Sequence, residues 1–124
     1  MSADHRADLP QSALLAPGFR DLPAEISEDV LAFIASGPTQ VWHRPALTRG
    51  QRSMITMGLL TALRADHQLR GHVEMALVNN GLTRAEVCEV ILHTAMYAGF
   101  PAALNGFAIA AEVFERMDDE TPLL

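Results

Sequence analysis

Two helix-start signals constrain this chain more than any other feature of its sequence. Thr48 and Thr83 each precede a run rich in apolar residues, and Gln51 and Glu86 follow three positions later. In such a capping box, the two side chains satisfy each other's free backbone N–H groups and fix the first turn of a helix. No stretch of the chain alternates apolar and polar residues over the length of a strand. The sequence therefore predicts an all-α fold.

The signals that start and stop the apolar runs predict five or six helices joined by tight connections. Asp66 is expected to cap the third helix, and the segment from Thr39 to Leu47 is expected to be an ordered loop. Glycines follow three of the helices, where a chain often leaves the helical conformation. The predicted helices cover residues 27–36, 48–64, 67–80, 83–98 and 101–117.

Length and composition predict one domain. The chain has 124 residues, of which 49% are hydrophobic, enough for a core of its own. Residues 1–24 contain three prolines and are expected to form a loosely ordered arm, residues 25–117 the helical domain, and residues 118–124 a short acidic tail. Self-association helps a domain of this size to bury leftover apolar surface, so a homo-oligomer is expected.

The charge pattern excludes several classes of function. The net charge is −6, and all nine basic residues are arginines. Without lysine there is no Schiff-base chemistry and no lysine-clamped phosphate loop. An acidic chain without a basic run is also a poor candidate for binding nucleic acid or an anionic membrane. The arginines are expected to serve local salt bridges or a small anionic ligand.

Cys88 is the only cysteine, which excludes an intrachain disulfide and any redox-active thiol pair within one chain. We expect its thiol to be buried and inert. Residues 1–15 are polar and mixed in charge, and no apolar run approaches the length of a membrane span. A cytoplasmic protein without a signal peptide is therefore expected.

The predicted helix that follows Thr83 carries a polar strip on an otherwise apolar surface. At ~100° per residue, Glu86, His93 and Tyr97 stack on one side of it, beside a stripe of core residues. Polar side chains on such a helix need partners or line a cavity. His93 is therefore either a structural histidine, bonded to a side chain one turn away, or a catalytic one.

His72 lies beside the apolar stripe that Leu69, Val73 and Ala76 form on the preceding helix. A histidine in that position points at the core or at its margin, where a structural role is the commoner one. It also titrates near neutral pH, so it can serve as an acid or a base without large tuning. The residues alone leave both roles open.

Three arginines cluster around the start of the helix that follows the tryptophan loop. They are Arg44, Arg49 and Arg52, and Trp42 lies beside them in the sequence. Arginine matches a carboxylate with two parallel hydrogen bonds, so the cluster can form a carboxylate clamp. Alternatively, the arginines are solvated surface residues and the tryptophan anchors the loop. Arg52 is the strongest candidate for a clamp, because the helix that carries it is predicted to be mostly buried.

The sequence predicts neither a metal nor a cofactor. It contains no His-x-x-x-His or Glu-x-x-His ligand pair, and the helical spacing of Glu89 and His93 is too little alone. It also contains no glycine-rich phosphate loop and no serine-elbow motif. We therefore expect a protein that works without a bound cofactor or metal ion.

Several longer motifs make the chain similar to one known family. Residues 97–103 are Tyr-Ala-Gly-Phe-Pro-Ala-Ala, and residues 41–47 are Val-Trp-His-Arg-Pro-Ala-Leu. Both segments resemble the decarboxylase branch of the carboxymuconolactone decarboxylase family, within the alkylhydroperoxidase-D-like superfamily. The resemblance covers roughly residues 40–115. Further matching segments are 52–53, 71–73, 76–77, 80–81 and 89–96.

The resemblance implies an alkylhydroperoxidase-D-like helical bundle and a carboxy-lyase that needs no cofactor. The expected reaction converts gamma-carboxymuconolactone to beta-ketoadipate enol-lactone in protocatechuate breakdown. The resemblance also implies a cyclic homo-oligomer, a trimer or a hexamer. Leu92 and Met96 are the candidate interface residues.

The chemistry of this family implies roles for the candidate residues. His72 is expected to deliver a proton to carbon, and Arg52 with Arg44 to bind a carboxylate or the enolate oxygen. His93 and Tyr97 are expected to orient the substrate or His72. The remaining expected substrate contacts are Trp42, Glu86 and Arg49.

Two departures from the superfamily bear on function. When the thiol motif Cys-x-x-Cys-x-x-x-His of its peroxidases is placed on His72, Ala65 and Gln68 stand where the cysteines would be. Peroxidase and disulfide-reductase activity are therefore excluded. Residues 1–40 match the decarboxylases poorly, which is compatible with a changed role. The alternatives are an isomerase or cyclase, or a ligand-binding protein, for another enolisable lactone, quinone or polyketide-like compound.

Overall fold

The computed structural model describes residues 22–120, and the regular structure within that range is α-helical throughout, as predicted. Most of the predicted arm and the last four residues of the predicted tail lie outside these residues. No helix in the described range is long and apolar enough to cross a membrane. In chain order the helices are α1 (Ala24–Ser36), α2 (Pro38–Trp42), α3 (Arg49–Leu63), α4 (Asp66–Val78), α5 (Arg84–Ala98) and α6 (Phe100–Glu120).

Helices α3 to α6 form the body of the protein, and each of them packs against the other three. Buried apolar side chains from all four meet in one core, among them Met57, Leu69, Ile91 and Val113. Burying a large apolar side chain stabilises a fold by about 1.5–3 kcal/mol. This shared core is therefore the main source of stability for the body.

Both predicted capping boxes are confirmed. The backbone N–H of Gln51 donates to Thr48 Oγ1 at 3.0 Å, and the N–H of Thr48 donates to Gln51 Oε1 at 2.8 Å. The matching distances between Glu86 and Thr83 are 3.1 and 2.9 Å. These bonds begin α3 and α5, the two helices between which an open groove lies.

A single residue joins α5 to α6. Gly99 has φ +98°, a conformation that side-chain-bearing residues rarely adopt, and its N–H donates to the carbonyl of Ala95 at 3.2 Å. Pro101 then stands in the first turn of α6, where its missing N–H costs nothing. This connection holds the end of α5 close to the start of α6.

The prediction that Asp66 caps α4 was wrong. The residue before the helix is Ala65, which makes no side-chain cap, and Asp66 is the first helical residue. Its Oδ1 accepts a hydrogen bond from Asn105 Nδ2 at 2.6 Å, so it ties α4 to α6. A partner distant in sequence thus takes the carboxylate that local rules assign to a cap.

The bounds of three other predicted elements also differ. The first helix begins at Ala24 after Pro23, rather than at Ser27. Part of the predicted loop is helix α2, which has Pro38 in its first turn, so the loop is confined to residues 43–48. Helix α6 continues to Glu120 and takes in residues assigned to the tail.

Helices α1 and α2 form a hairpin that stands apart from the core. No residue of α1 is buried, and α1 packs against α2 with at most marginal contact to the body. None of its apolar side chains belongs to the core cluster or packs against it. Phe33 is 64% exposed and Ile26 44% exposed. The hairpin therefore presents an apolar helix face that the described part of its own chain leaves open.

Replacing Gly106 with alanine is expected to destabilise the protein. A Cβ there would lie 2.9 Å from Thr61 Cγ2 and 3.1 Å from Ile91 Cγ2. The Thr61 branch is held because its hydroxyl donates to the carbonyl of Met57 at 2.7 Å, and Ile91 is fully buried in the core. The loss of stability from overpacking, about 1–3 kcal/mol, then outweighs the ~1 kcal/mol that the higher helix propensity of alanine contributes to stability.

Urea unfolding measures this effect, and Gly58→Ala is the matched control. A Cβ at Gly58 would meet Thr94 Oγ1 at 3.7 Å and Val90 Cγ1 at 3.9 Å, which are ordinary contacts. The control is expected to keep or raise the free energy of unfolding. Equal changes for the two variants would contradict close packing at Gly106.

Candidate active site

An open groove of about 900 Å³ runs between α3 and α5 and ends at the start of α6. Its two walls are mostly apolar. His93 and the carboxylates of Glu86 and Glu89 are the ionisable side chains that line it. Its other lining residues are Met54, Ile55, Gly58, Leu59, Val90, Leu92, Thr94, Ala95, Met96 and Phe100.

The polar strip predicted on α5 lies along this groove. His93 is exposed, and its ring centroid is 5.4 Å from that of Tyr97 at a tilt of 39°. Tyr97 is 80% exposed and extends beyond the groove lining. Glu86 already uses Oε1 in the capping box, so one carboxylate oxygen remains for other partners. The strip thus supplies an imidazole and a phenol beside an apolar surface.

A smaller cavity of about 530 Å³ adjoins the groove at the start of α3. Met54 and Glu86 line both cavities, so the two cavities are adjacent. Arg49 lines the smaller one, together with the turn that contains Asn79 and Asn80. This end of the site therefore offers a cation and amide groups that the groove lacks.

Arg52 anchors the loop that follows α2. Its Nη2 donates to the backbone carbonyl of Arg44 at 3.1 Å, while its Nε is buried and has no hydrogen-bond partner among the described residues. The side chain of Arg44 is exposed, and Trp42 is half-buried at the end of α2. Arg52 and Arg44 are thus brought together, but the contact is between the guanidinium of Arg52 and the backbone carbonyl of Arg44. The clamp remains a prediction.

His72 is half-buried on α4, between the fully buried Leu69 and Ala76 along one side of the helix. Burial lowers the pKa of His72 below its ordinary value of 6.5, because desolvation disfavours the charged imidazolium. It lines neither of the two cavities described above. The described chain therefore places His72 and His93 in separate surroundings, and the role of each remains a prediction.

Sequence reasoning missed a polar group next to these residues. Asn80 Nδ2 donates to the hydroxyl of Ser53 at 2.6 Å, and Ser53 is 1% exposed. The Oδ1 atoms of Asn79 and Asn80 are buried without a partner in the described structure. Unsatisfied buried polar atoms are costly, so they mark positions where a ligand or water supplies the missing bond. The Asn-Asn-Gly sequence suggested only a helix end.

No group of three or more His, Cys, Asp or Glu side chains within residues 22–120 is arranged to hold a metal ion. Cys88, expected to be buried, is half-buried and unpaired by any disulfide. What the site offers is two histidines in different surroundings, arginines at one end and an apolar groove. These groups can bind an anion and move a proton.

The fold and these groups define the class as an all-α bundle of the alkylhydroperoxidase-D-like type without its thiols. The sequence profile of the carboxymuconolactone decarboxylase family matches residues 28–112. The chain belongs to that family. The match spans α3 to α5 in full and most of α6, so it covers the groove, the arginines and both histidines.

Three relatives show how the similarity is distributed. A 4-carboxymuconolactone decarboxylase of Acinetobacter baylyi is 45% identical over 76 residues, or 61% of this chain and 56% of the relative. A nitrosuccinic acid decarboxylase of Metarhizium robertsii is 38% identical over 80 residues, 64% and 55% of the two chains. An uncharacterised 15.0 kDa protein of Paracoccus denitrificans is 28% identical over 111 residues, 84% and 82% of the two. The chain thus spans little more than half the length of the two decarboxylases.

Proposed function

We propose that this protein is a cofactor-free decarboxylase of a carboxylated unsaturated lactone, converting gamma-carboxymuconolactone to beta-ketoadipate enol-lactone. The observation that carries the proposal is the 45% identity over 76 residues to a 4-carboxymuconolactone decarboxylase. A second decarboxylase relative supports the same class of reaction. Both names denote substrates with two carboxylates and a built-in electron acceptor, a lactone carbonyl or a nitro group.

The electron acceptor in the substrate makes a cofactor unnecessary. When CO2 leaves the ring carbon, its electron pair moves through the ring double bond onto the lactone carbonyl and gives a dienolate. The protein then has to hold the acetate arm, stabilise the enolate oxygen and protonate a ring carbon. Arg52 and Arg44 are the proposed anion-binding groups, and His72 the proposed proton donor. A hydrogen-bond donor positioned at developing charge typically lowers the activation free energy by about 3 kcal/mol.

The surroundings of His72 shape its proposed role. Because burial lowers its pKa, the imidazole of the free protein is mostly neutral at neutral pH. A bound dicarboxylate would raise that pKa, since a nearby negative charge favours the imidazolium. The acid form would thus be generated when substrate binds, and its proton would pass to carbon as the dienolate collapses.

The pH profile tests this role. We expect kcat/KM to fall about tenfold per pH unit above the pKa of free His72, which lies below 6.5, because only the protonated form donates. The fall in kcat is expected at higher pH, since kcat reports the complex. His72→Gln should remove this limb, while replacing the exposed His67 should keep it. A kcat/KM that rises with pH over this range would make His72 a base.

The direct test supplies purified protein with gamma-carboxymuconolactone and follows both CO2 release and loss of substrate absorbance. Nitrosuccinate and a monocarboxylated lactone serve as comparison substrates. Turnover of the lactone dicarboxylate with equal amounts of CO2 and product supports the proposal. Turnover of nitrosuccinate alone would keep the reaction class and replace the substrate.

The groove favours one alternative function. The described residues that line it include no arginine, so it suits an aromatic or polyketide-like ligand better than a dianion. Tight binding of such a compound, measured by calorimetry, together with no CO2 release from the lactone, would support a ligand-binding protein. An isomerase or cyclase would convert such a ligand without loss of CO2.

We also propose a homo-oligomer, a trimer or a hexamer. Leu92 is 50% exposed and Met96 77% exposed, both on the wall of the groove. Large contiguous apolar patches on a soluble chain mark surfaces that another protein or a ligand covers. Sedimentation of the full chain at micromolar concentration measures its assembly state, and a single-chain mass would contradict this proposal.

A further inference from the structure

We propose that α1 of a second copy of this chain lies in the groove between α3 and α5, where its Phe33 closes the cavity opposite His93. The docking stands on two open surfaces of the structure. The docking does not depend on the proposed function, because the proposed acid and anion-binding groups, His72, Arg52 and Arg44, do not line this groove.

The face of α1 has the form that such docking requires. At ~100° per residue, Ile26, Val30 and Phe33 lie in one row, Glu28 lies on the opposite side, and Glu25 and Asp29 lie on one flank. An amphipathic helix that docks in a groove uses anchors at this spacing of four and then three residues. The row is about 10 Å long at 1.5 Å per residue. It faces no part of the core of its own chain.

The groove has the complementary form. Ile55 and Leu59 are one turn apart on α3, and Leu92 and Met96 are one turn apart on α5, so two parallel rows flank an apolar floor. Gly58 in the floor adds no side chain, which lets a helix approach closely. The groove has a volume of about 900 Å³, at the upper end of the roughly 300–1,000 Å³ that ligand pockets have. One five-membered lactone would fill only a small part of it.

Area favours a helix of this kind. Glu86 and Glu89 line the groove, so an occupant that presents its acidic face inward would be repelled. With its apolar row inward, α1 keeps Glu28 in solvent and has Glu25 and Asp29 at one margin of the contact. At roughly 150–250 Å² per large side chain, the exposed parts of the α1 row and the groove walls amount to about 700 Å² per chain. A stable interface takes ~800 Å² from each partner.

A second copy is the occupant, because within one chain the two surfaces do not cover each other. Ile26 and Phe33 are exposed, and so are Leu59, Met96 and Phe100 of the groove. Every copy carries both surfaces, so each α1 can enter the groove of a neighbour, and the exchange closes into a symmetric assembly. The loop between α2 and α3, held by Arg52, fixes the base of this hairpin.

Sedimentation of full-length variants tests the docking. Phe33→Asp is expected to weaken assembly at least tenfold in dissociation constant, because it would bury a charge without a partner. Ser36→Asp adds the same charge to an exposed position of the same helix and is the matched control. It should sediment like the unaltered chain. Intact assembly in Phe33→Asp would overturn the proposal.

A cross-link identifies the occupant. In a Cys88→Ser background, oxidation of the double variant Phe33→Cys, Met96→Cys is expected to give disulfide-linked chains on a non-reducing gel. An internal link, which leaves a single-chain mass, would show that α1 covers its own groove and would overturn the proposal. A second result would also overturn the proposal. If no link forms, and if removal of residues 1–21 abolishes assembly, that segment is the occupant of the groove. Linked chains, together with no turnover of the lactone dicarboxylate by the unaltered protein, would keep the docking and refute the proposed function.

Discussion

Replacing His72 with glutamine is expected to lower kcat for the lactone dicarboxylate by about two to four orders of magnitude, the usual contribution of a positioned general acid. Glutamine is close to histidine in size and polarity but cannot carry the transferred proton. His72 is half-buried beside the core, so a glutamine there keeps most contacts with its neighbours. The expected loss is therefore chemical, with KM changed far less than kcat.

Two controls separate chemistry from stability. His67 is exposed on the same helix, and His67→Gln should leave kcat within about twofold, as surface changes away from a site usually do. The urea midpoint and the far-ultraviolet circular dichroism of His72→Gln should match those of the unaltered chain. Near-normal decarboxylation by a folded His72→Gln protein would remove this residue from the reaction.

His93 is the alternative proton donor, and comparing kcat of His93→Gln with that of His72→Gln distinguishes the two residues. It lies in the groove and contacts Tyr97, whereas His72 lines neither cavity. A large kcat loss in His93→Gln with little loss in His72→Gln would place the proton transfer in the groove. The reverse outcome would assign the groove to substrate binding or to assembly.

The parts of the fold that local chemistry decides could be predicted from the sequence. The capping boxes at Thr48 and Thr83 depend on side chains three residues apart, so their outcome needs no knowledge of the rest of the chain. The turn at Gly99 depends on one backbone angle. Helices α3 and α5 were therefore located to within one or two residues.

The parts that distant contacts decide could not be predicted. Asp66 has the chemistry of a cap, but Asn105 takes its carboxylate. Near the end of α6, Asp118 accepts a hydrogen bond from Arg84 at 2.6 Å, and this contact lowers the pKa of the carboxyl. Such partners lie more than thirty residues apart in the sequence. No spacing rule within a helix connects them.

The same distinction applies to the candidate site. The strip of Glu86, His93 and Tyr97 follows from helical spacing within α5, and the groove beside it follows from the packing of α5 on α3. The bond between Ser53 and Asn80 joins α3 to the turn after α4 and had no sequence signal. The separate surroundings of His72 and His93 likewise emerge only once α4 and α5 are packed.

Replacing Arg52 with methionine is expected to raise KM for the lactone dicarboxylate by roughly a hundredfold, since losing one partner of a hydrogen-bonded charge pair costs about 3 kcal/mol, which corresponds to that ratio. For a monocarboxylated analogue the increase should be less than tenfold, because one of the two anionic contacts is absent from the start. The geometry supports this specificity. One nitrogen of Arg52 holds the loop through the carbonyl of Arg44, and Nε has no partner in the described structure.

The structural alternative is that Arg52 only anchors the loop, and two matched variants distinguish the roles. Arg44→Ala keeps the backbone carbonyl that Arg52 binds and removes a guanidinium, so it tests the clamp without breaking the anchor. Arg49→Met removes an exposed arginine from the same turn of α3 and should have a smaller effect. If Arg52→Met raises KM equally for both substrates and Arg44→Ala changes neither, the guanidinium of Arg52 holds the loop and the carboxylates must bind elsewhere. If both variants raise KM more for the dicarboxylate than for the monocarboxylated analogue, Arg52 has both roles. The bond that fixes the loop then also orients Arg52 toward the substrate.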